Sequence, residues 1–184
     1  MNKILAISKK LGLSHIGSNL SILPILTEIY TKLELKDKII LDNAHAHLAH
    51  LVVRGFNEEE IESAIKKYGI HCDKKIGCYA SGGSLGHGLG ISIGYALANP
   101  ESTIYCIVSD GSMMEGSNWE ALRLITDFKL ANIHIYCNFN GYSAVAKINL
   151  EKLVARMRQF TPIKVYYTDN TKRFEGIKGH YMKI

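Results

Sequence analysis

Apolar residues recur at helical spacing through most of the first third of the chain. Residues 1–35 carry two such segments, one that ends at about Leu11 and one that begins near Leu20. A further helix is predicted after Asn57, which can cap it, because acidic residues fill its first turn and Gly69 follows its last. This part of the chain is therefore predicted to be mainly helical.

Two features modify this picture. Residues 36–55 are predicted to begin as a short extended piece and to continue as a helix closed by Gly55. In the second helical segment, Asn19 or Ser21 could act as the N-cap, and Pro24 is tolerated in a first turn.

The sequence pattern changes at Tyr79, after which glycine becomes frequent within an apolar helical pattern. Gly86, Gly90, Gly94 and Ala98 fall four residues apart, so one stripe of the predicted helix is almost bare backbone. Such a stripe permits close approach by a ligand or a neighbouring element. Tight packing of helix on sheet is at least as good an interpretation for Gly90 and Gly94.

The centre of the chain predicts a β-α-β unit. An apolar run over 103–109 is followed by a helical stretch over 117–129 and a second apolar run over 132–138. Such a unit requires parallel strands, so Asp110 and Asn140, just past the two strand ends, should share one edge of the sheet. That edge is where open α/β sheets bind ligands.

The predicted fold class is α/β, a parallel sheet flanked by helices. After Asn149 the pattern predicts a helix over 150–160, a turn and a final extended piece over 179–184. Residues 1–184 are expected to form one domain, with a mainly helical part (1–78) and an α/β core (79–184).

The amino-acid composition limits the classes of function that the chain can have. The chain has 184 residues, 47% hydrophobic and 21% charged, and a net charge of +5 from 22 basic and 17 acidic residues. The basic residues are scattered, which disfavours nucleic-acid binding and is compatible with mild attraction for small anions.

Cysteine usage and apolar runs bear on location. The four cysteines form no C-x-x-C pair, and Cys106 and Cys137 lie in strand-like runs where a thiol acts as a small hydrophobe. A reducing, cytoplasmic setting fits best. No secretory signal and no run of about 18 apolar residues is present, so we expect a soluble protein without a membrane partner.

The strand-end pair predicts a metal site. A carboxylate and an amide oxygen are hard ligands that suit Mg²⁺ or Ca²⁺, and Mg²⁺ shares its remaining positions with phosphates and water. Gly111 would let a phosphate approach, and the start of the following helix favours an anion. The alternative, that Asp110 merely caps this helix, is about equally probable on spacing alone. The Walker frame is not found, and the nearest dinucleotide fingerprint, Gly88 to Gly94, is one residue too long.

At this point the letters resemble a known family. "SDGSMMEGSNWEA" followed by "NFNGYS" is similar to the thiamine diphosphate motif of transketolase-like enzymes, with thirty residues from Asp110 to Asn140. Upstream, "SHIGSNLS", "LDNAHAH", "GIHCD" and "GGSLGHGLGISIGYALA" resemble further family segments in the same order.

The resemblance implies a thiamine diphosphate site with Mg²⁺, or Ca²⁺ or Mn²⁺ in its place. It assigns the metal to the side chains of Asp110 and Asn140 and the carbonyl of Tyr142. The diphosphate contacts would be Gly111 and His45, with Gly83 and Leu85 beside the rings. The remaining roles fall to His15 and His71, in the substrate channel, and to Glu115, which would link two cofactor sites of a dimer.

Other residues are given structural roles or mark departures from the family. His47, His50 and His87 are expected on the surface or in packing, and Trp119 in the core. Ser109 replaces the motif's first glycine and Phe139 a polar residue, which weakens the metal prediction.

The family's second, pyrimidine-binding domain does not fit after residue 150, nor does a further family histidine that lies beyond the chain's end. Because thiamine chemistry needs that domain's glutamate, we expect a split transketolase-like enzyme: this chain with a separately encoded pyrimidine-binding subunit, in an α₂β₂ assembly acting on sugars or sugar phosphates. The alternatives are 2-oxo acid decarboxylation, a deoxyxylulose phosphate-type condensation, or a non-catalytic binding subunit.

Overall fold

The computed structural model describes residues 1–143, 146–168, 174 and 176–184. Its helices are α1 (Asn2–Leu11), α2 (Ile16–Ser21), α3 (Leu23–Tyr30), α4 (His47–Val53), α5 (Glu58–Tyr68), α6 (Gly88–Ala98), α7 (Gly116–Asp127), α8 (Leu150–Met157) and α9 (Gly176–His180). Its strands are β1 (Lys38–Leu41), β2 (Ile104–Ser109), β3 (Ile133–Phe139) and β4 (Ile163–Tyr167).

The four strands form one sheet in the order β1-β2-β3-β4, and each neighbouring pair is parallel. The α/β class and the central β-α-β unit are therefore confirmed. Strand β1 is the extended piece expected within residues 1–78, so this mainly helical part also contributes to the sheet. In the register of β2 and β3, Ser109 lies opposite Asn138, which brings the two strand ends together.

Helices cover both faces of the sheet. On β2, Tyr105 and Ile107 pack into a core formed with α1 to α5, whereas Cys106 and Val108 pack into a core formed with α6, α7 and α8. Because both faces of the sheet are buried, successive residues of its strands are apolar. The expectation that Cys106 is a core residue is confirmed, as is that for Cys137.

The N-terminal helices differ from prediction in their boundaries. Helix α5 has the expected Asn57 cap, a capping box completed by Glu60. The prediction that Asn19 or Ser21 caps the second helix is wrong, because both lie within α2 and a new helix starts at Leu23. The Asn19 side chain has a different structural role.

The C-terminal prediction is also wrong in two places. Strand β4 occupies part of what was expected to be a turn. Its run of β-branched and aromatic residues is typical of a strand, and this signal was overlooked. The piece expected to be extended contains the end of α9 instead. Tertiary contacts explain the second error, since the backbone N–H of His15 donates to the carbonyl of His180 at 3.0 Å.

The glycine stripe of α6 faces away from the sheet. A Cβ atom added at Gly90 or Gly94 would meet no atom within 4 Å, and both residues are exposed. Helix α6 packs on the sheet through Leu89, Ile93 and Ala96 instead. The interpretation of Gly90 and Gly94 as tight helix-on-sheet packing is therefore wrong.

Among the described residues, no helix combines the length and apolar character needed to cross a bilayer.

Candidate active site at the carboxyl edge of the sheet

A cavity of about 220 Å³ opens at the carboxyl edge of the sheet. It brings together every residue predicted for the site except Glu115: His15, His45, His71, Gly83, Leu85, Asp110, Gly111, Asn140 and Tyr142. The sequence analysis did not assign its other lining residues: Ser18, Ser21, Asn43, Ser109, Asn138, Ser143, His180 and Tyr181.

Asp110 is the central acid of the cavity. It follows β2 directly and is only 2% exposed. Its Oδ2 atom accepts the backbone N–H groups of Asn140 at 3.1 Å, Gly141 at 2.6 Å and Tyr142 at 3.0 Å. Asp110 therefore fixes the loop after β3 and does not act merely as a cap for the helix that follows β2.

The loop after β3 places the Asn140 side chain at the cavity. Asn140 Oδ1 accepts the backbone N–H of Tyr142 at 2.9 Å, so this side chain is held beside the Asp110 carboxylate. Gly141 has a φ of 86°, a conformation that residues with a Cβ rarely adopt. The glycine thus lets three successive N–H groups turn toward one carboxylate.

Burial dominates the electrostatics of Asp110. Loss of hydration raises the pKa of its carboxyl to about 6, against the opposing effect of the backbone N–H groups of Gly141, Asn140, Gly111 and Tyr142. A carboxylate that is costly to ionise without a partner gains most from a nearby cation. This environment is therefore suited to a divalent metal.

The two departures from the family motif have structural explanations. Ser109 Oγ accepts the backbone N–H of Ser112 at 3.1 Å, and Ser112 Oγ accepts the N–H of Ser109 at 3.1 Å. The serine thus ties the turn that follows Asp110. Phe139 is fully buried in the core on the α6–α8 side, so its side chain does not enter the cavity.

Three histidines cluster on the opposite wall. The ring centroid of His15 lies 4.8 Å from that of His45 and 4.4 Å from that of His180. Burial is the main cause that lowers the pKa of His15 to about 4, and the neighbouring His180 is the next largest cause. Burial is also the main cause that lowers the pKa of His45 to about 3, and the neighbouring His15 is the next largest cause. These rings are therefore neutral near pH 7 and can accept as well as donate hydrogen bonds.

Asn19 holds two of these histidine segments together. Its Nδ2 atom donates to the carbonyls of His15 at 3.0 Å and His45 at 3.2 Å, and its Oδ1 accepts the N–H of Ala49 at 2.9 Å. His15 also has a φ of 61°, which is uncommon for a residue with a side chain. Asn19 is thus a positioning residue that the helix-cap interpretation overlooked.

Asp42 plays a similar part below the glycine-rich turn. It follows β1, and its carboxylate accepts the N–H groups of Gly86 at 3.1 Å and Gly88 at 2.5 Å and the side-chain amide of Asn118 at 3.1 Å. A Cβ on Gly88 would lie 2.5 Å from the Asp42 Cβ, so this turn requires glycine. The contact anchors the turn that carries Leu85 into the cavity.

Two buried amides face the cavity with unused polar atoms. Neither side-chain polar atom of Asn43 has a protein partner, and Asn138 donates to Ser21 Oγ at 2.8 Å while its own Oδ1 has none. Buried polar groups normally have partners. These atoms therefore indicate that the cavity is built for a polar ligand.

The remaining predicted residues lie outside the cavity. Glu115 is exposed at the start of α7, near Gly86, so any role it has must involve another molecule. His87 is exposed, as expected, whereas His47 and His50 are buried. Trp119 is half-buried and packs against the core on the α6–α8 side.

Comparison with known proteins finds a family match over almost the whole chain and relatives that are transketolase subunits. The model of the family described as 1-deoxy-D-xylulose-5-phosphate synthase matches residues 2–182. The chain is 31% identical to the 6-deoxy-6-sulfo-D-fructose transketolase subunit SqwG of Clostridium sp. (strain MSTE9), over 93% of this chain and 68% of that protein. It is 28% identical to an apulose-4-phosphate transketolase subunit of Phocaeicola vulgatus, over 71% of this chain and 54% of that protein.

Solved structures show the same fold. A transketolase variant from Pichia stipitis superposes with a TM-score of 0.76 at 21% identity, over 90% of this chain and 34% of that chain. The chain thus spans about a third of the length of such a transketolase.

Proposed function

This chain belongs to the family described as 1-deoxy-D-xylulose-5-phosphate synthase, and from that premise we propose that it is one subunit of a split transketolase-like enzyme. In this proposal it binds the diphosphate and metal of thiamine diphosphate, and the enzyme transfers a two-carbon ketol unit between sugars or sugar phosphates. A reducing, cytoplasmic setting is part of the proposal, because the four cysteines are unpaired.

One observation carries the proposal. Asp110 and Asn140 follow neighbouring parallel strands and line one cavity with His15, His45 and His71. Hard oxygen ligands, unused buried amide atoms and neutral imidazoles together suit a metal-bound diphosphate with a polyhydroxylated substrate beside it.

The residues present fit this cofactor. The Asp110 and Asn140 side chains and the Tyr142 carbonyl would hold Mg²⁺, for which Ca²⁺ or Mn²⁺ could substitute. Gly111 and His45 would contact the diphosphate, with Gly83 and Leu85 beside the rings. When bound, thiamine diphosphate supplies an electron sink for cleaving a carbon–carbon bond next to a carbonyl.

The chain's own contribution to chemistry would come from the histidines. Neutral His15 and His71 can each accept a hydrogen bond from a sugar hydroxyl and donate one to a sugar oxygen, so they would position the substrate. The pKa of about 4 makes His15 a weak base in the isolated chain, so proton transfer by His15 near neutral pH would require the bound substrate and partner to raise that pKa. His180, which the sequence analysis did not assign, lies against His15 and would share this task.

A partner subunit is the second part of the proposal. The cavity of about 220 Å³ is smaller than the roughly 300–1,000 Å³ of pockets that enclose cofactor-sized ligands, which supports the proposal that another molecule supplies the remaining walls. Two of the similar proteins are named as subunits. We propose a separately encoded pyrimidine-binding subunit, with two copies of each chain and with Glu115 at the contact between the two copies.

Calorimetric titration tests the cofactor assignment. Thiamine diphosphate with Mg²⁺ should release or absorb heat on binding the parent chain and should not do so with Asp110→Ala. Asp127→Asn, which removes a carboxylate that is paired with Arg123 on the surface of α7, is the matched control and should bind like the parent. Absence of binding to both the parent and the control, also with the partner subunit present, would favour the non-catalytic alternative.

A second reaction within the same chemistry is the deoxyxylulose phosphate-type condensation, which the family description favours. The complete enzyme, reconstituted with its partner, separates the two. A transketolase-like enzyme uses a ketose donor, whereas the alternative consumes a 2-oxo acid and releases carbon dioxide.

A further inference from the structure

Four ligand-type side chains meet in the interior, next to the proposed cofactor site but outside its cavity. His47, His50, Cys72 and Cys78 each offer one ligand atom, and these four atoms lie within 4.8 Å of one another. All four residues are buried, with exposed fractions of 1%, 4%, 5% and 8% in that order. Four titratable groups are costly to bury together unless something satisfies them.

From this arrangement we propose that the chain holds a structural Zn²⁺ ion between helix α4 and the loop that follows α5. Two thiolates and two imidazoles are the donors of closed, four-coordinate zinc sites. Zinc bond lengths place neighbouring ligand atoms of a tetrahedron about 3.3–3.8 Å apart. Cys78 Sγ lies 3.3 Å from His47 Nε2, and the 4.8 Å span of the cluster needs only a modest contraction.

The local structure presents the ligands in pairs. His47 and His50 stand three residues apart on α4, so both project from one face of the helix. Cys72 and Cys78 flank a single turn of 3₁₀ helix that ends at Gly77, whose φ of 79° lets the chain reverse. The N–H of Cys78 donates to the Asp73 carbonyl at 3.2 Å, which closes the turn.

The surroundings already orient the two imidazoles. The Tyr30 hydroxyl lies 2.8 Å from His50 Nε2, which orients this ring and leaves its buried Nδ1, without a hydrogen-bond partner, to face the cluster. His47 Nε2 is the ring nitrogen that lies against Cys78 Sγ, so each of the two imidazoles has one nitrogen available to the cluster.

The ion would stabilise the neighbouring cavity from behind. His71 directly precedes Cys72, and His45 stands two residues before His47, so the metal would tie together the two segments that carry these cavity histidines. The backbone already begins this link, since the N–H of Cys72 donates to the Ala44 carbonyl at 3.2 Å. The role is structural, because the site is closed and all four positions are filled by protein.

Metal analysis of the full chain, purified from zinc-supplemented cells under reducing conditions, tests the proposal. We expect one zinc per chain in the parent, and less than about one tenth of that in Cys72→Ser and Cys78→Ser. Cys106→Ala and Cys137→Ala remove buried thiols outside the cluster and should keep the metal. Asp110→Ala should also keep it, because this site does not depend on the proposed cofactor site.

Cobalt substitution tests the site in the parent chain itself, so its result does not depend on whether the cysteine variants fold. The parent chain, refolded with Co²⁺, should show the intense visible bands of tetrahedral cobalt and a thiolate-to-metal charge-transfer band. A parent chain without zinc and without these bands would overturn the proposal. A Cys72–Cys78 disulfide in the chain purified from zinc-supplemented cells, detected by mass spectrometry, would also overturn it.

Discussion

The Asp110 carboxylate accepts the backbone N–H of Asn140 at 3.1 Å, so the acid after β2 directly positions the amide after β3. In the proposed site Asp110 would have two roles: it orders the loop that carries Asn140, and its own oxygen would bind the cation. Because the two roles share one carboxylate, removing the charge and removing the hydrogen-bond acceptor should have different consequences.

The first prediction separates these roles. Asp110→Asn keeps an acceptor for the loop but removes the charge, so we expect Mg²⁺-dependent cofactor binding to weaken by at least about 100-fold while the chain stays folded. Asp110→Ala should in addition lower the free energy of unfolding, since the backbone N–H groups of Asn140 and Gly141 lose their acceptor. Calorimetry and urea unfolding measure the two effects. Equal cofactor affinity of the parent and Asp110→Asn would contradict the metal assignment.

The second prediction concerns the pH dependence of metal binding. Because burial raises the pKa of Asp110 to about 6, a proton competes with the cation as the pH falls through that value. Affinity for Mg²⁺ alone, measured without thiamine diphosphate because a terminal phosphate itself takes up a proton near about pH 6, should be constant above about pH 7 and should fall about tenfold per pH unit below about pH 6. Titrations across this range check it. A decline that begins only near pH 4 would indicate a carboxyl with its ordinary pKa.

The location of this site could be predicted from the sequence because it depends on a rule of topology. Parallel neighbouring strands end at the same edge, so the residues after two consecutive strands meet whatever their side chains are. The resemblance then added His15, His45 and His71, which lie on helices and loops far apart in the chain. The cavity brings these residues together with the strand-end pair.

Residues that act through long-range hydrogen bonds could not be found in this way. Asn19 and Asp42 look like ordinary cap or turn residues, and only the fold shows which carbonyls and N–H groups they reach. His180 lies in a segment whose local pattern gave the wrong secondary structure. The zinc ligands were missed because the spacings H-x₂-H and C-x₅-C fall outside the common zinc patterns.

The third prediction concerns Asn19 as a positioning residue. Asn19→Ala should cost roughly 2–4 kcal/mol of stability, because it leaves the buried N–H of Ala49 without its acceptor and the His45 carbonyl without its Asn19 donor. It should also weaken cofactor binding, since it releases the segments of His15 and His45.

Asn132 provides the matched control for this variant. Its Nδ2 atom also donates to three carbonyls, those of Ala96, Asn99 and Ser102, but none of these lies near the cavity. Asn132→Ala should therefore reduce stability and leave the cofactor affinity of the folded chain unchanged. Similar affinity losses in both variants would mean that Asn19 acts only through global stability.

The fourth prediction concerns acid stability. Since burial lowers the pKa of His45 from 6.5 to about 3, the unfolded chain binds a proton in this interval that the folded chain does not. The contribution of His45 to stability is thus fully present above about pH 6.5 and falls by up to about 1.4 kcal/mol per pH unit below it. In His45→Gln, the free energy of unfolding should depend less steeply on pH between about pH 6 and about pH 4. The exposed His87, changed to Gln, should leave the slope as in the parent.

The last prediction concerns the outward glycines of α6. Since a Cβ at Gly94 meets no atom within 4 Å, Gly94→Ala should stabilise the isolated chain by about 0.5–1 kcal/mol through helix propensity. Gly94→Lys should likewise fold, but it should weaken self-association if this exposed face meets a second copy. Light scattering coupled to size-exclusion chromatography measures the association. Lys129→Ala, on the exposed turn after α7, is a surface control that should leave it unchanged. If Gly94→Lys associates like the parent, the second copy must bind elsewhere, because a long charged side chain cannot be buried at a close helix contact without cost.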